Sequence, residues 1–296
     1  MSIDNRNRLS VSSSLNELFR HRVWDAKVPI NIKVAEDDLR LLRGSSTLNL
    51  PNIRSRPFFV LAPRTSYLPL LLPQLQRHYD DVFTAASSLL EACAPWLEFA
   101  ERPLSWHYPI GHLFDECNLW HSSTLPWTLT LHFTKYPKDQ LIPMNENHIE
   151  EGGGAIGSHF YSTLKQAEYL KHGSSKGVMN LSKVEQTQLW DGLWTHSFDK
   201  FWNVYSKIMG NEDSIAAWKN FPMRLYRRDA ESLRQITQGP IGFQKHWTLR
   251  DIASQLSIDD QTRLVCHGIV IPHDSSLSWL AMYFTYPDGF LHFIVT

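Results

Sequence analysis

Apolar positions recur along the chain with two different periods, and the change of period divides it into three stretches. The first is mostly of period two. A short helical run at Leu15–Trp24 leads into an alternating strand at Val28–Val34. Ala35–Arg56, charged and interrupted by Gly-Ser-Ser, reads as a polar insertion. Phe58–Ala62 is a second strand. Tyr67–Tyr79 is leucine-rich, but Pro69 and Pro73 make it an awkward helix except near its first turn. Trp96–Phe99 predicts a short strand, Pro109–Leu119 a helix and Trp127–Phe133 a strand. In that last strand Trp127, Leu129, Leu131 and Phe133 face one way, and Thr128, Thr130 and His132 the other.

From about Asn147 to Met209 the period lengthens to that of a helix. Ile156, Phe160, Leu164 and Ala167 mark an apolar stripe that ends at Lys171-His172-Gly173, a cationic last turn followed by a glycine stop. Ser182 and Glu185 form a capping box before a helix carrying Leu189 and Leu193. Phe198, Phe201, Trp202, Tyr205, Ile208 and Met209 give a third helix a strong inward face.

In the last stretch Phe221, Met223 and Leu225 alternate, Leu233–Thr237 is a weaker strand, and Thr248 caps a helix through Leu256. Leu264–Ile271 predicts one strand, Leu277–Phe284 a short helix, Pro287-Asp288-Gly289 a turn and Phe290–Val295 a closing strand. Strand, strand, helix, strand, short helix, strand is the order of a ubiquitin-like β-grasp domain, and the first stretch repeats it with insertions. The expected class is therefore α+β, with two ubiquitin-like β-grasp domains flanking a helix-rich domain. The boundaries fall at residues 1–146, 147–212 and 213–296.

Composition narrows the function without choosing it. The 29 basic and 30 acidic side chains leave a formal charge of −1, so no general surplus of positive charge calls for nucleic acid as a partner. Cys93, Cys117 and Cys266 are odd in number and lack a C-x-x-C spacing, which argues against a disulfide framework or a zinc site and for a reducing compartment. Met1–Ser14 is polar, and no apolar run approaches the roughly 18 residues of a membrane helix. The expectation is a soluble intracellular protein.

Candidate chemistry is sparse. Gly152, Gly154 and Gly157 match G-x-G-x-x-G, but His148-Ile149-Glu150-Glu151 precede them where a dinucleotide site needs an apolar strand, so a flexible linker is the better reading. His107, His112, Asp115 and Glu116 do not share a helix face in a metal-binding pattern. Cysteine chemistry is the stronger enzymatic alternative, a thioester-transfer enzyme of a ubiquitin-like pathway. Cys266 adjoins His267 on a strand, where neighbours point apart, and Cys117 adjoins acidic Asp115 and Glu116, which oppose a thiolate. The chain ends Phe293-Ile294-Val295-Thr296, without the glycine tail of a transferable tag, and suits a receiver of one.

Trp106-His107-Tyr108-Pro109-Ile110-Gly111, Leu113-Phe114-Asp115 and Leu125-Pro126-Trp127 resemble the autophagy protein five family. So do His159-Phe160, Lys165-Gln166-Ala167, Gly173-Ser174-Ser175-Lys176, Cys266-His267-Gly268-Ile269 and Asp288-Gly289-Phe290-Leu291, in family order from about Val23 onward. The resemblance implies two ubiquitin-like folds around a helix-rich domain and a protein that is not itself an enzyme and uses no cofactor. It implies a lysine joined by an isopeptide bond to the ubiquitin-like autophagy protein twelve, with the conjugating enzymes of the pathway as transient partners. It also implies a groove for the N-terminal helix of the coiled-coil autophagy protein sixteen. The conjugate then has ligase-like activity, promoting attachment of a ubiquitin-like protein to phosphatidylethanolamine. The chain is expected in the cytoplasm, recruited to the preautophagosomal membrane and held there peripherally through the complex.

By this resemblance the acceptor is Lys165. Following Leu164, it sits about 100° around the helix from the apolar stripe, where Tyr161 and Tyr169 can hold its stem. The attacking amine must be neutral, whereas an exposed lysine titrates near pH ~10.4. Glu168 is expected to favour its charged form, so the base should come from the enzyme. For the partner helix, a groove between the three domains is expected to draw on Leu18 and Trp24 and on the Trp106, Tyr108 and Pro109 turn.

Overall fold

The computed structural model describes residues 15–45, 56–87, 95–120, 124–144, 153–228, 233–235 and 240–296. Met1–Ser14, Cys93 and the His148–Gly152 stretch therefore lie outside the described residues. A helix, α1, spans 15–25. The chain then divides into two compact units, Lys27–Phe160 in one and Met1–Ala26 with Tyr161–Thr296 in the other.

In the Lys27–Phe160 unit the elements are β1 (Lys27–Val34), α2 (Glu36–Ser45), β2 (Phe58–Pro63), a 3-10 turn (Leu68–Leu71), α3 (Leu72–His78), α4 (Asp80–Ala86), β3 (Trp96–Phe99), β4 (Arg102–Pro103), α5 (Ile110–Trp120) and β5 (Trp127–His132). The sheet order is β2-β1-β5-β3-β4, with β1 antiparallel to β2 and parallel to β5. Ile30, Ile32 and Val34 are buried, as are Trp127, Leu129 and Leu131 opposite them, so the period-two pattern does select the core face.

The region expected as a polar insertion begins with a helix. In α2 three acidic residues occupy the first turn, where the helix dipole favours them, and Leu39 and Leu42 are buried. Asp38 is itself buried and accepts the Phe133 N–H at 2.6 Å and the Thr134 hydroxyl at 2.5 Å. Its charge conceals an inward role. The prolines act as expected for helix starts, Pro69 in the first turn of the 3-10 segment and Pro73 in that of α3.

The chain continues with α6 (Gly154–His172), which passes from the first unit into the other at Tyr161, then α7 (Lys176–Met179), α8 (Lys183–Trp194), α9 (Phe198–Met209) and α10 (Glu212–Ile215). A second set follows: β6 (Asn220–Phe221), β7 (Met223–Arg228), β8 (Leu233–Gln235), β9 (Ile241–Gly242), α11 (Leu249–Gln255), β10 (Leu264–Cys266), β11 (Ile269–Ile271), α12 (Leu277–Tyr283) and β12 (Leu291–Val295). Its sheet, β11-β10-β12-β7-β8, repeats the first, with the opening strand β7 parallel to the closing strand β12. The two sheets share one topology, and the chain is α+β as expected. Leu264–Ile271, read as one strand, is a hairpin. His267 (φ 53°) and Gly268 (φ 76°) both take the left-handed conformation that a tight two-residue turn requires.

Candidate functional site

The long helix α6 carries Lys165, and its sequence explains both its burial and its ends. Ile156, Phe160, Leu164 and Ala167 are all buried, so the expected stripe is real. Gly154 and Gly157 belong to the helix itself and not to a linker. The helix stops where Gly173, at φ 71°, donates its N–H to the Tyr169 carbonyl at 2.7 Å.

Lys165 is exposed, as is Tyr169 one turn later. On either side the helix is braced. Tyr161 donates its hydroxyl hydrogen to the Gln186 carbonyl of α8 at 2.6 Å, and burial pushes that phenol up to about 12. Glu168 is buried and accepts the Val178 N–H of α7 at 2.8 Å. It fits because Gly177 has no side chain: a Cβ there would collide with its Oε1. The carboxylate thus turns away from solvent into the helical bundle, correcting the expectation that it would attend Lys165. On the other side Gly289, in the turn before β12, packs against Ala167 and Leu164, and Arg224 of β7 reaches the Gln166 side chain at 3.4 Å.

The other lysine of α6 has the opposite environment. Lys171 is only 1% exposed, with Nζ 4.6 Å from the Trp218 ring centroid and 3.7 Å from the Met209 sulfur. Burial lowers its pKa to about 8, against the pull of the Glu168 carboxylate. One helix therefore exposes one lysine and encloses the other.

The residues expected to receive a partner helix are not alike. Leu18 is 52% exposed on α1, and Leu15 beside it, not anticipated from the pattern, is 58% exposed. Trp24 is 3% exposed, its ring parallel to His196 at 4.8 Å and tilted on Phe201 at 4.9 Å, so it belongs to the core of its unit. Arg20 anchors the same helix, its guanidinium above Trp202 at 4.5 Å and Tyr283 at 5.0 Å. In the Lys27–Phe160 unit Trp106 is buried and donates its indole N–H to the Ile142 carbonyl at 2.8 Å. Pro109 is buried and bridged to Tyr67, whereas Tyr108 is half-buried, its ring 4.3 Å from His107 and 5.3 Å from His112.

Among the described residues the enzymatic alternatives find no assembled site. Burial, reinforced by neighbouring Glu116, pushes the Cys117 thiol far above its ordinary range, and Cys266 is 1% exposed. Glu116 itself is raised to about 7 by burial, opposed by Arg102. Asp115 is engaged by Arg64 at 2.5 Å. Among the described residues no three His, Cys, Asp or Glu side chains converge as metal ligands. No described helix is long and apolar enough to cross a membrane.

Two ubiquitin-like sheets with a helical bundle define the class: an α+β protein built from paired ubiquitin-like domains. The comparisons make the family specific. Residues 23–133 match the autophagy protein ATG5 UblA domain, 154–211 the ATG5 alpha-helical bundle region and 220–295 the ATG5 UblB domain. Autophagy protein 5 of Drosophila melanogaster is 32% identical over 277 residues, covering 92% of this chain and 94% of the relative. That of Phaeosphaeria nodorum is 29% identical over 327 residues, covering 96% and 98%. The crystal structure of Kluyveromyces marxianus Atg5 is similar in fold, with TM-score 0.73 at 21% identity over 95% of this chain and 100% of that one. The chain belongs to the autophagy protein 5 family, whose role is in autophagy.

Proposed function

We propose that this chain is the acceptor half of a covalent ubiquitin-like conjugate, joined through Lys165 Nζ to the C-terminal glycine of the ubiquitin-like autophagy protein twelve. The reaction is aminolysis. The neutral amine attacks the thioester carbonyl on a conjugating enzyme, a C–N bond forms as the C–S bond breaks, and the enzyme thiol leaves with a proton lost by the amine. The chain supplies position, not acid–base chemistry. The observation that carries this reading is the contrast on α6: Lys165 exposed on a helix tied down by Tyr161, Glu168 and Gly289, Lys171 enclosed. With Glu168 facing inward, the base that takes the proton is assigned to the conjugating enzyme.

In this reading the conjugate binds the helix of the coiled-coil autophagy protein sixteen, with exposed Leu15 and Leu18 of α1 among the contacts. The assembly then promotes lipidation of a ubiquitin-like protein at the preautophagosomal membrane, which it joins peripherally from the cytoplasm. Lys165→Arg keeps the charge and removes the nucleophile. With the modifier, its activating and conjugating enzymes and ATP present, the higher-mass band on a denaturing gel should vanish. A normal conjugate in that variant refutes the site, and an adduct that thiol reductant removes would return the assignment to a cysteine.

A further inference from the structure

One edge of the first sheet is built unlike the other. β4 ends the sheet with only Arg102–Pro103, a short charged and proline-bearing strand of the kind that discourages pairing. β2, at the opposite edge, runs Phe58-Phe59-Val60-Leu61-Ala62-Pro63 with no charge, and among the described residues no strand pairs with its outer side. Every second residue of such a strand turns its backbone N–H and C=O away from the sheet. Phe59 and Leu61 also stand out from the sheet face, 62% and 64% exposed.

A separate feature lies beside them. Asn31, directly across from Phe59 on β1, is 7% exposed, and its Oδ1 has no hydrogen-bond partner. Its Nδ2 reaches only the Thr128 hydroxyl, at 3.5 Å. So enclosed, Asn31 is not reached from outside, and the surface open to a partner is the row of side chains around it. The charges complete the pattern. Lys27 and Lys33, at the two ends of β1, are exposed on this same face, whereas Glu98 on it is held by His132 at 3.1 Å.

We infer that the free edge and outward face of β2 dock an extended peptide strand of a protein partner, with apolar residues at alternate positions and acidic flanks. Added beside β2, such a strand satisfies the outward backbone groups and covers Phe59 and Leu61. Its acidic flanks lie near the two lysines. The surface is independent of Lys165.

The test selects peptides from a displayed random library against the full chain, then measures their affinity and their effect on amide hydrogen exchange in Phe58–Pro63. Selected peptides should alternate, carry acidic ends and slow exchange in β2. They should weaken about tenfold or more on Leu61→Lys, on Lys33→Glu, and when alternate peptide amides are N-methylated. Both substituted side chains are exposed, so folding should survive, as circular dichroism would verify. No enrichment, undiminished binding to Leu61→Lys, or protection of β2 by phosphatidylserine vesicles with no peptide bound would overturn the inference.

Discussion

Gly289 lies so close to Ala167 that a Cβ added to the glycine would stand 2.7 Å from the alanine Cβ. The glycine is also at φ 87°, in the left-handed region that an L side chain resists. Gly289→Ala should therefore cost on the order of 2 kcal/mol or more, part from backbone strain and part from overpacking against α6. Chemical unfolding measures it. A change within about 0.5 kcal/mol, the scale of an ordinary surface substitution, would mean that the turn does not brace the helix.

Two residues of α1 separate core from surface. Trp24→Ala removes a ring packed on His196 and Phe201 and should cost about 3–5 kcal/mol. Leu18→Asp, at an exposed position, should change stability by no more than about 0.5 kcal/mol while weakening capture of the coiled-coil partner's helix. Calorimetry on both variants, with a pull-down using that helix as a peptide, distinguishes the roles. Full binding by Leu18→Asp would remove this face of α1 from the partner surface.

Much of the fold was legible because its signals are local. The 3.6-residue stripe of α6, the Ser182–Glu185 capping box and the alternation of Trp127–His132 are each contained within a short window. What was hidden depended on residues far apart in sequence. Asp38 looked like part of a solvated run, yet it is buried because Phe133 and Thr134, 95 and 96 positions away, supply its hydrogen bonds. Glu168 looked like a neighbour of Lys165 until Gly177 provided a slot for it. Nor does composition distinguish a buried tryptophan from one that meets a partner. Trp24 and Trp106 were grouped with Leu18, and only packing separates them. The hairpin between β10 and β11 was the exception, since Gly268 was a visible turn signal inside an otherwise continuous apolar run.

Arg64 and Asp115 form an ion pair at 2.5 Å with both side chains nearly enclosed, and the same guanidinium donates to the Gly111 carbonyl at 3.1 Å. Asp115→Ala should cost about 3–5 kcal/mol, because it strands a charge in the interior. Replacing both partners, Arg64→Met with Asp115→Leu, should cost less than the single substitution. Urea titrations of the three proteins decide it, and an additive double variant would show that the two side chains act separately.

Lys171 gives the stability a distinctive dependence on pH. Its pKa falls from 10.5 to about 8 on folding because burial penalises the ammonium, a penalty the Glu168 carboxylate only partly offsets. Below pH 8 both folded and unfolded chains hold the proton, and the folded protein bears the full penalty of an enclosed charge. Between about 8 and 10.5 the folded chain has released its proton while the unfolded chain keeps it, so the unfolded state binds more protons and stability rises with pH. The rise attributable to this side chain is on the order of 3 kcal/mol. Lys171→Met fills similar volume without titrating, so the free energy of unfolding of the native protein minus that of the variant should climb through this window. Urea unfolding of both proteins from about pH 7 to about pH 10.5 measures the difference, and a flat one would mean that the amine keeps its proton in the folded state. Glu168→Gln removes the carboxylate charge while keeping an acceptor for the Val178 N–H. It should lower the Lys171 pKa further and move the onset of the climb to lower pH.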